Sequence, residues 1–159
     1  MVTLIGMGSG KWEALSAQAQ QAVRSAGLVF GAKRLLAGLP ADCTARQFAL
    51  YQPADILETL AQNSGQDAAV LYSGDTGFYS GASGLLTPLR ALGIPARVYP
   101  GVSSIQLLSA ALGRPWQDWK LVSAHGCACD PVAECMMNRS VFFLTGGTET
   151  PASLCQKLT

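Results

Sequence analysis

Four short segments of the 159-residue chain carry residues whose types and spacing could do chemistry: "GMGSGK" (6–11), "SGDTGFYS" (73–80), "YPGVSS" (99–104) and "HGCACDPVAEC" (125–135). The second is the most telling. A buried-looking apolar run, "AAVLY", ends there in a glycine and an ionised carboxylate, followed by a hydroxyl, a second glycine and two aromatics. Asp75 can accept hydrogen bonds from a ligand or from its own turn, and Gly74 and Gly77 let backbone approach closely. The first segment is a glycine-rich turn whose N–H groups could meet a ligand, although a simple tight turn uses the same residues.

The familiar phosphate motifs do not fit. A P-loop would need glycine where Ile5 stands and a hydroxyl where Trp12 stands. The dinucleotide fingerprint begun by Gly6 and Gly8 would need its third glycine at Lys11. In the fourth segment His125, Cys127, Cys129 and Cys135 could be metal ligands, but a C-x-C pair without a second knuckle lacks the spacing of structural zinc sites, so no metal is expected. His125 is the chain's one histidine. It is the only candidate general base of its kind, and a lone histidine at a strand end is more often structural. No G-x-S-x-G elbow accompanies it.

The elements that must position these segments alternate. Strands are predicted at 2–6, 28–31, near 46–51, at 68–73 and at 96–101. Between them, helices are predicted at 12–26, around 32–39, from Pro53 to 63 and at 81–93, with another at 103–113 that opens on serines suited to capping. A βαβα rhythm of this kind argues for a mostly parallel sheet covered by helices on both faces. Ligands of such sheets bind beyond the carboxyl ends of the strands, where 73–80 and 99–104 both fall. "RPWQDW" (114–119) breaks the rhythm. The expected organisation is an N-terminal α/β domain over 1–114 and the start of a second α/β domain over 118–159, with strands at 120–126 and 140–147 and too few elements to be complete.

Composition agrees with a folded α/β protein: 49% hydrophobic and 13% charged residues. A net charge of +1 provides no global field for nucleic acid, so an anionic partner must be held by particular side chains. The chain opens without a basic, apolar leader and has no apolar run of about 18 residues, and the five cysteines (Cys43, Cys127, Cys129, Cys135 and Cys155) are odd in number and scattered. The expectation is a cytoplasmic protein with reduced thiols and no membrane partner.

Taken in order and spacing, "GMGSG", "SGDTGFYSG", "YPGVSS" and "WKLVSAHG" resemble the tetrapyrrole methylases, and the resemblance runs nearly end to end. "GAKRLL", the Phe-Tyr pair, "PGVSSIQLLSAALGRPWQD" and "SAHG" are most similar to members that methylate carbon 5 of a corrin precursor in cobalamin biosynthesis. The resemblance implies a fold of two α/β domains with S-adenosylmethionine in the cleft between them. It implies cofactor contacts at Ser9, Ser73, Gly74, Asp75, Phe78, Ser103, Ser104 and Leu144. The substrate it implies is rich in acetate and propionate carboxylates, for which Lys33, Arg34 and Arg114 are candidate partners. A homodimer is also expected, as is an association with the enzyme that methylates C15 and decarboxylates. Another methyl-acceptor position, or a ligand-binding subunit without turnover, would use the same fold.

The chain departs from that family's usual pattern at Ser9 and Thr76, where proline is usual, and at Cys127, where many relatives have arginine; the family also continues for several elements beyond Thr159. Without proline the two turns should be more mobile. Methyl transfer from a sulfonium to an electron-rich carbon needs positioning more than an acid or base, so no catalytic residue is assigned.

Overall fold

The computed structural model describes residues 1–125, 128–147 and 149–158. The first strand, β1 (Val2–Gly6), is buried along its whole length, which places it inside a sheet. Its neighbours are β4 (Ala68–Tyr72) and β5 (Ala96–Tyr99), and beyond β4 lie β2 (Leu28–Phe30) and β3 (Arg46–Phe48). The order is β3-β2-β4-β1-β5 and every pairing is parallel.

Side chains of period two sort onto two cores. Ile5, Met7, Val29, Ala69 and Leu71 face one side, against Ala19 and Val23 of α1 (Ala17–Ser25) and Leu35 and Leu36 of α2 (Lys33–Leu36). Val2, Leu4, Leu28, Phe30, Ala68 and Val70 face the other, against Ile56 of α3 (Pro53–Gln62) and Leu85 and Leu89 of α4 (Ala82–Ala91). The chain thus winds out through β1, β2 and β3 with its helices on one face. It returns through β4 and β5 with them on the other. Adjacent strands β1 and β4 therefore send their exits to opposite faces, and the exits part to leave a crevice at their carboxyl ends.

The helix expected over 12–26 is interrupted. A 3-10 turn covers Trp12–Ala14, Leu15 and Ser16 are extended, and the Ser16 hydroxyl accepts from Ala19 N–H at 3.2 Å to start α1 afresh. The remaining strands and helices fall where the pattern predicts them, shortened at their ends.

Contacts divide the chain into two units, Met1–Ser103 and Ser104–Thr159. The division precedes α5 (Ser104–Leu112), and the boundary expected from sequence follows it. The second unit pairs β6 (Lys120–Ser123) with β7 (Val141–Leu144) in parallel and adds α6 (Pro131–Met137) and α7 (Pro151–Leu158). Asp130 caps α6 by accepting from Val132 and Ala133 N–H, and Trp119 stacks on Phe142 at 6.5 Å. Among the described residues no helix is long and apolar enough to cross a membrane.

One polar atom in the first unit is out of place. The hydroxyl of Tyr72, the last residue of β4, is buried without a hydrogen-bond partner among the described residues, and burial pushes its pKa up from 10.0 to about 12. The fold therefore favours the neutral phenol, while the unfolded chain ionises first. Stability from this group is complete below pH 10 and declines as pH climbs from 10 towards 12. Tyr72→Phe should stabilise the protein by roughly 1 kcal/mol at neutral pH, because it removes an unsatisfied hydroxyl. Thermal melts should also show its loss of stability above pH 10 to be shallower than that of the wild type.

Candidate functional site at the carboxyl ends of the strands

The crevice between the exits of β1 and β4 is built of backbone. Gly8 and Gly74, both at positive φ (56° and 64°), pair as an isolated antiparallel bridge with N–H to O distances of 3.0 and 2.9 Å. A side chain at either position would be strained. The loop after β5 packs onto this bridge. A methyl group placed on Gly6 would lie 2.6 Å from Gly101 N and 2.7 Å from the Gly74 carbonyl oxygen. One placed on Gly101 would collide with the carbonyl oxygens of Gly74 and Gly6. Three loops therefore cross with no room for a Cβ.

Asp75 fastens the crossing. Its Oδ1 accepts from Gly77 N–H at 2.8 Å and its Oδ2 from Gly101 N–H at 3.1 Å. One oxygen shapes its own turn and the other holds the loop after β5. Thr76 Oγ1 lies 3.5 Å from the Tyr99 carbonyl oxygen, so the same two loops also meet there. The carboxylate expected to face a ligand is engaged with the protein's own N–H groups in this structure, and any ligand would meet loops that it has already joined.

A fourth element closes on the turn after β1. Leu35 Cδ2 and Arg34 Nη1 of α2 would be 3.5 and 3.9 Å from a methyl group on Gly10, and Gly38 abuts the Gly10 carbonyl. From there Arg34 Nη2 reaches across to donate to Ser73 Oγ in the Gly-Asp loop.

Of the residues singled out in the sequence, Ser9, Ser73, Gly74, Asp75, Phe78 and Ser103 all lie in these loops, and Lys33 and Arg34 lie on α2 beside them. Ser9 and Ser73 are exposed, Ser103 is buried with its Cα 3.9 Å from a methyl group on Gly74, and Phe78 packs edge-on to Tyr79 at 4.9 Å. Ser104, Arg114, His125 and Leu144 belong to the second unit. Ser104 is exposed at the start of α5, and Arg114 borders a groove with Leu108, Leu112 and Trp119. Leu144 ends β7 and His125 lies two residues past the end of β6, where Ala124 N–H donates to the Leu144 carbonyl and the His125 imidazole lies against Gly146. Cys127 lies outside the described residues, and among the described ones no three His, Cys, Asp or Glu side chains gather as for a metal. Two features escaped the sequence reading: the part played by Gly101, and the reach of Arg34 to Ser73. The first was signalled only by the glycine after Pro100.

A separate groove of about 400 Å³ runs between α1 and β5, bordered by Thr3, Gln18, Gln21 and Arg97. It includes Met1 and Asp67 at the amino ends of the strands, away from the crossing loops.

The fold is that of a doubly wound α/β protein, and the crevice at the topological switch between β1 and β4 is its candidate ligand site. A family model for tetrapyrrole (corrin/porphyrin) methylases matches residues 1–159, and the chain belongs to that family. It is 31% identical over 160 residues to a cobalt-precorrin-7 C(5)-methyltransferase of Salmonella typhimurium, covering 99% of this chain and 77% of that one. Among solved structures it is similar to a uroporphyrin-III C-methyltransferase of Thermus thermophilus complexed with S-adenosylhomocysteine (TM-score 0.71, 22% identity, 98% of this chain and 72% of that one). It is likewise similar to a cobalamin-biosynthesis precorrin-6Y methylase of Archaeoglobus fulgidus (TM-score 0.67, 21% identity, 94% and 75%). The chain spans 55% of another solved methyltransferase of this fold. Family and relatives together class it as a C-methyltransferase of the S-adenosylmethionine-dependent kind.

The crossing makes two substitutions informative. Gly101→Ala should cost roughly 3 kcal/mol, at the upper end for overpacking, because backbone cannot move aside as a side chain can. Asp75→Asn keeps one acceptor and must give up the charge-assisted hydrogen bond to either Gly77 or Gly101 N–H, at a cost of about 1–3 kcal/mol. Chemical denaturation of both variants checks these values. An Asp75→Asn protein as stable as the wild type would show that the clamp does not hold the loops.

Proposed function

We propose that this protein transfers the methyl group of S-adenosylmethionine to carbon 5 of a corrin precursor. The observation that carries the reading is the crossing of three glycine loops at the switch point, in a chain whose whole length matches the methylase family. The 31% identity to the Salmonella enzyme is what favours carbon 5 over another ring position.

The residues present fit such a cofactor. The Gly8–Gly74 bridge offers a cradle without side chains, and the exposed hydroxyls of Ser9 and Ser73 can bind its polar groups. In this reading Ser9, Ser73, Gly74, Asp75, Phe78, Ser103, Ser104 and Leu144 contact the cofactor, Asp75 through the acceptor sites that its two loop hydrogen bonds leave open. When bound, S-adenosylmethionine supplies a methyl group activated by its sulfonium. The protein's task is then to hold the accepting carbon in line, which fixed loops can do, while the proton that the methylated ring gives up passes to solvent. Lys33, Arg34 and Arg114 are the proposed partners of the substrate's carboxylates, and the active form is a homodimer. A functional association with the activity that methylates C15 and decarboxylates belongs to the same proposal.

Calorimetric titration with S-adenosylhomocysteine tests the reading, and binding at micromolar concentration is expected. A protein shown to be folded by circular dichroism that gives no heat of binding would overturn it. With turnover, mass and carbon-13 analysis of the product should place one new methyl at carbon 5; a methyl elsewhere would reassign the acceptor. His125→Ala should keep kcat within about tenfold of the wild type, whereas loss of a general base would cost on the order of 10²–10⁴.

A further inference from the structure

Arg34 joins two parts of the site that nothing in the local sequence connects. Its guanidinium lies beside Gly10 of the first turn and donates through Nη2 to Ser73 of the Gly-Asp loop, 39 residues away. Among the described residues it has no carboxylate partner: the ion pairs there are Met1 with Asp67, Arg24 with Asp42 and Lys157 with Glu149. Asp75, the acid of the neighbouring loop, directs both its oxygens to Gly77 and Gly101 N–H. The side chain is exposed, so an anion can reach it. A guanidinium carries five donors, and the contact with Ser73 leaves donors for a bidentate grip on a carboxylate.

From this arrangement we infer that Arg34 is a positioning residue that couples the two ligands of the site: a substrate carboxylate bound to its guanidinium holds Ser73 and stiffens the Gly-Asp loop, so that each ligand tightens the binding of the other. The inference rests on the function proposed above. The physical route is short. An exposed arginine with no acid partner samples many rotamers, and the Ser73 hydroxyl is held only while the one that reaches it is occupied. A carboxylate that selects this rotamer makes the tether permanent, and the cofactor then meets a Ser73 hydroxyl already fixed on a loop whose backbone the Gly8–Gly74 bridge holds. Linkage requires the effect to be reciprocal. Lys33 carries the same charge but cannot make the bidentate grip, so the coupling belongs to Arg34.

The test measures S-adenosylhomocysteine affinity by calorimetry with and without uroporphyrin III, a stable tetrapyrrole bearing acetate and propionate side chains. In the wild type the porphyrin should tighten cofactor binding about fivefold or more. In Ser73→Ala the ratio should fall to about one, whatever direct contact the hydroxyl also contributes, because the ratio cancels it. Arg34→Lys keeps the charge and should lose both the coupling and roughly tenfold in porphyrin affinity. Both side chains are exposed, and a thermal melt of each variant establishes that it is folded. Binding of both ligands without coupling in the wild type, or coupling that survives in Ser73→Ala, would overturn the inference alone. A wild type that binds no S-adenosylhomocysteine would overturn it together with the proposed function.

Discussion

The structure of the first unit turns on the crossing of three peptide segments at Gly6, Gly74 and Gly101, with no side chain between them. Parallel strands cannot be joined by tight hairpins, so their carboxyl-end loops have no local reason to touch. They touch here because β1, β4 and β5 are adjacent, and because glycine lets backbone meet backbone. Asp75 converts the contact into a connection, with one oxygen for its own turn and one for the loop after β5. The glycines of this region thus serve first the packing of loop on loop, and only through it a ligand.

The same crossing orders the candidate site. A crevice forms where the windings through α1 and α4 leave for opposite faces, and the loops that border it are those the crossing locks. Helix α2 adds a wall through Arg34 and Leu35, and Gly38 just beyond it abuts the same turn after β1. The unsatisfied hydroxyl of Tyr72 lies at the end of β4, just before the locked loop begins.

Much of the fold was legible because its signals are local. Runs such as "VTLIG" and "AAVLY", Pro53 at a helix start and the glycines that end strands each act over a few residues. Local reasoning failed first at Ser16, where apolar spacing continued through a position whose hydroxyl starts a new helix. It located the site's loops but not their connections. Asp75 reaches Gly101 across 26 residues and Arg34 reaches Ser73 across 39, and no periodicity or spacing encodes which loops will meet. The role of Asp75 followed the same course: its residue type announced a carboxylate at work, and only the fold determined that the work is between loops.

If the crossing loops form the ligand's cradle, binding should quieten them together. Amide hydrogen exchange followed by mass spectrometry, with and without saturating S-adenosylhomocysteine, measures this directly. Slowed exchange is expected in residues 6–10, 73–80 and 99–104 as a group, with little change in α1 or at the amino ends of the strands around the groove beside β5. Protection confined to that groove, or bound ligand that leaves all three loops exchanging as before, would contradict the account.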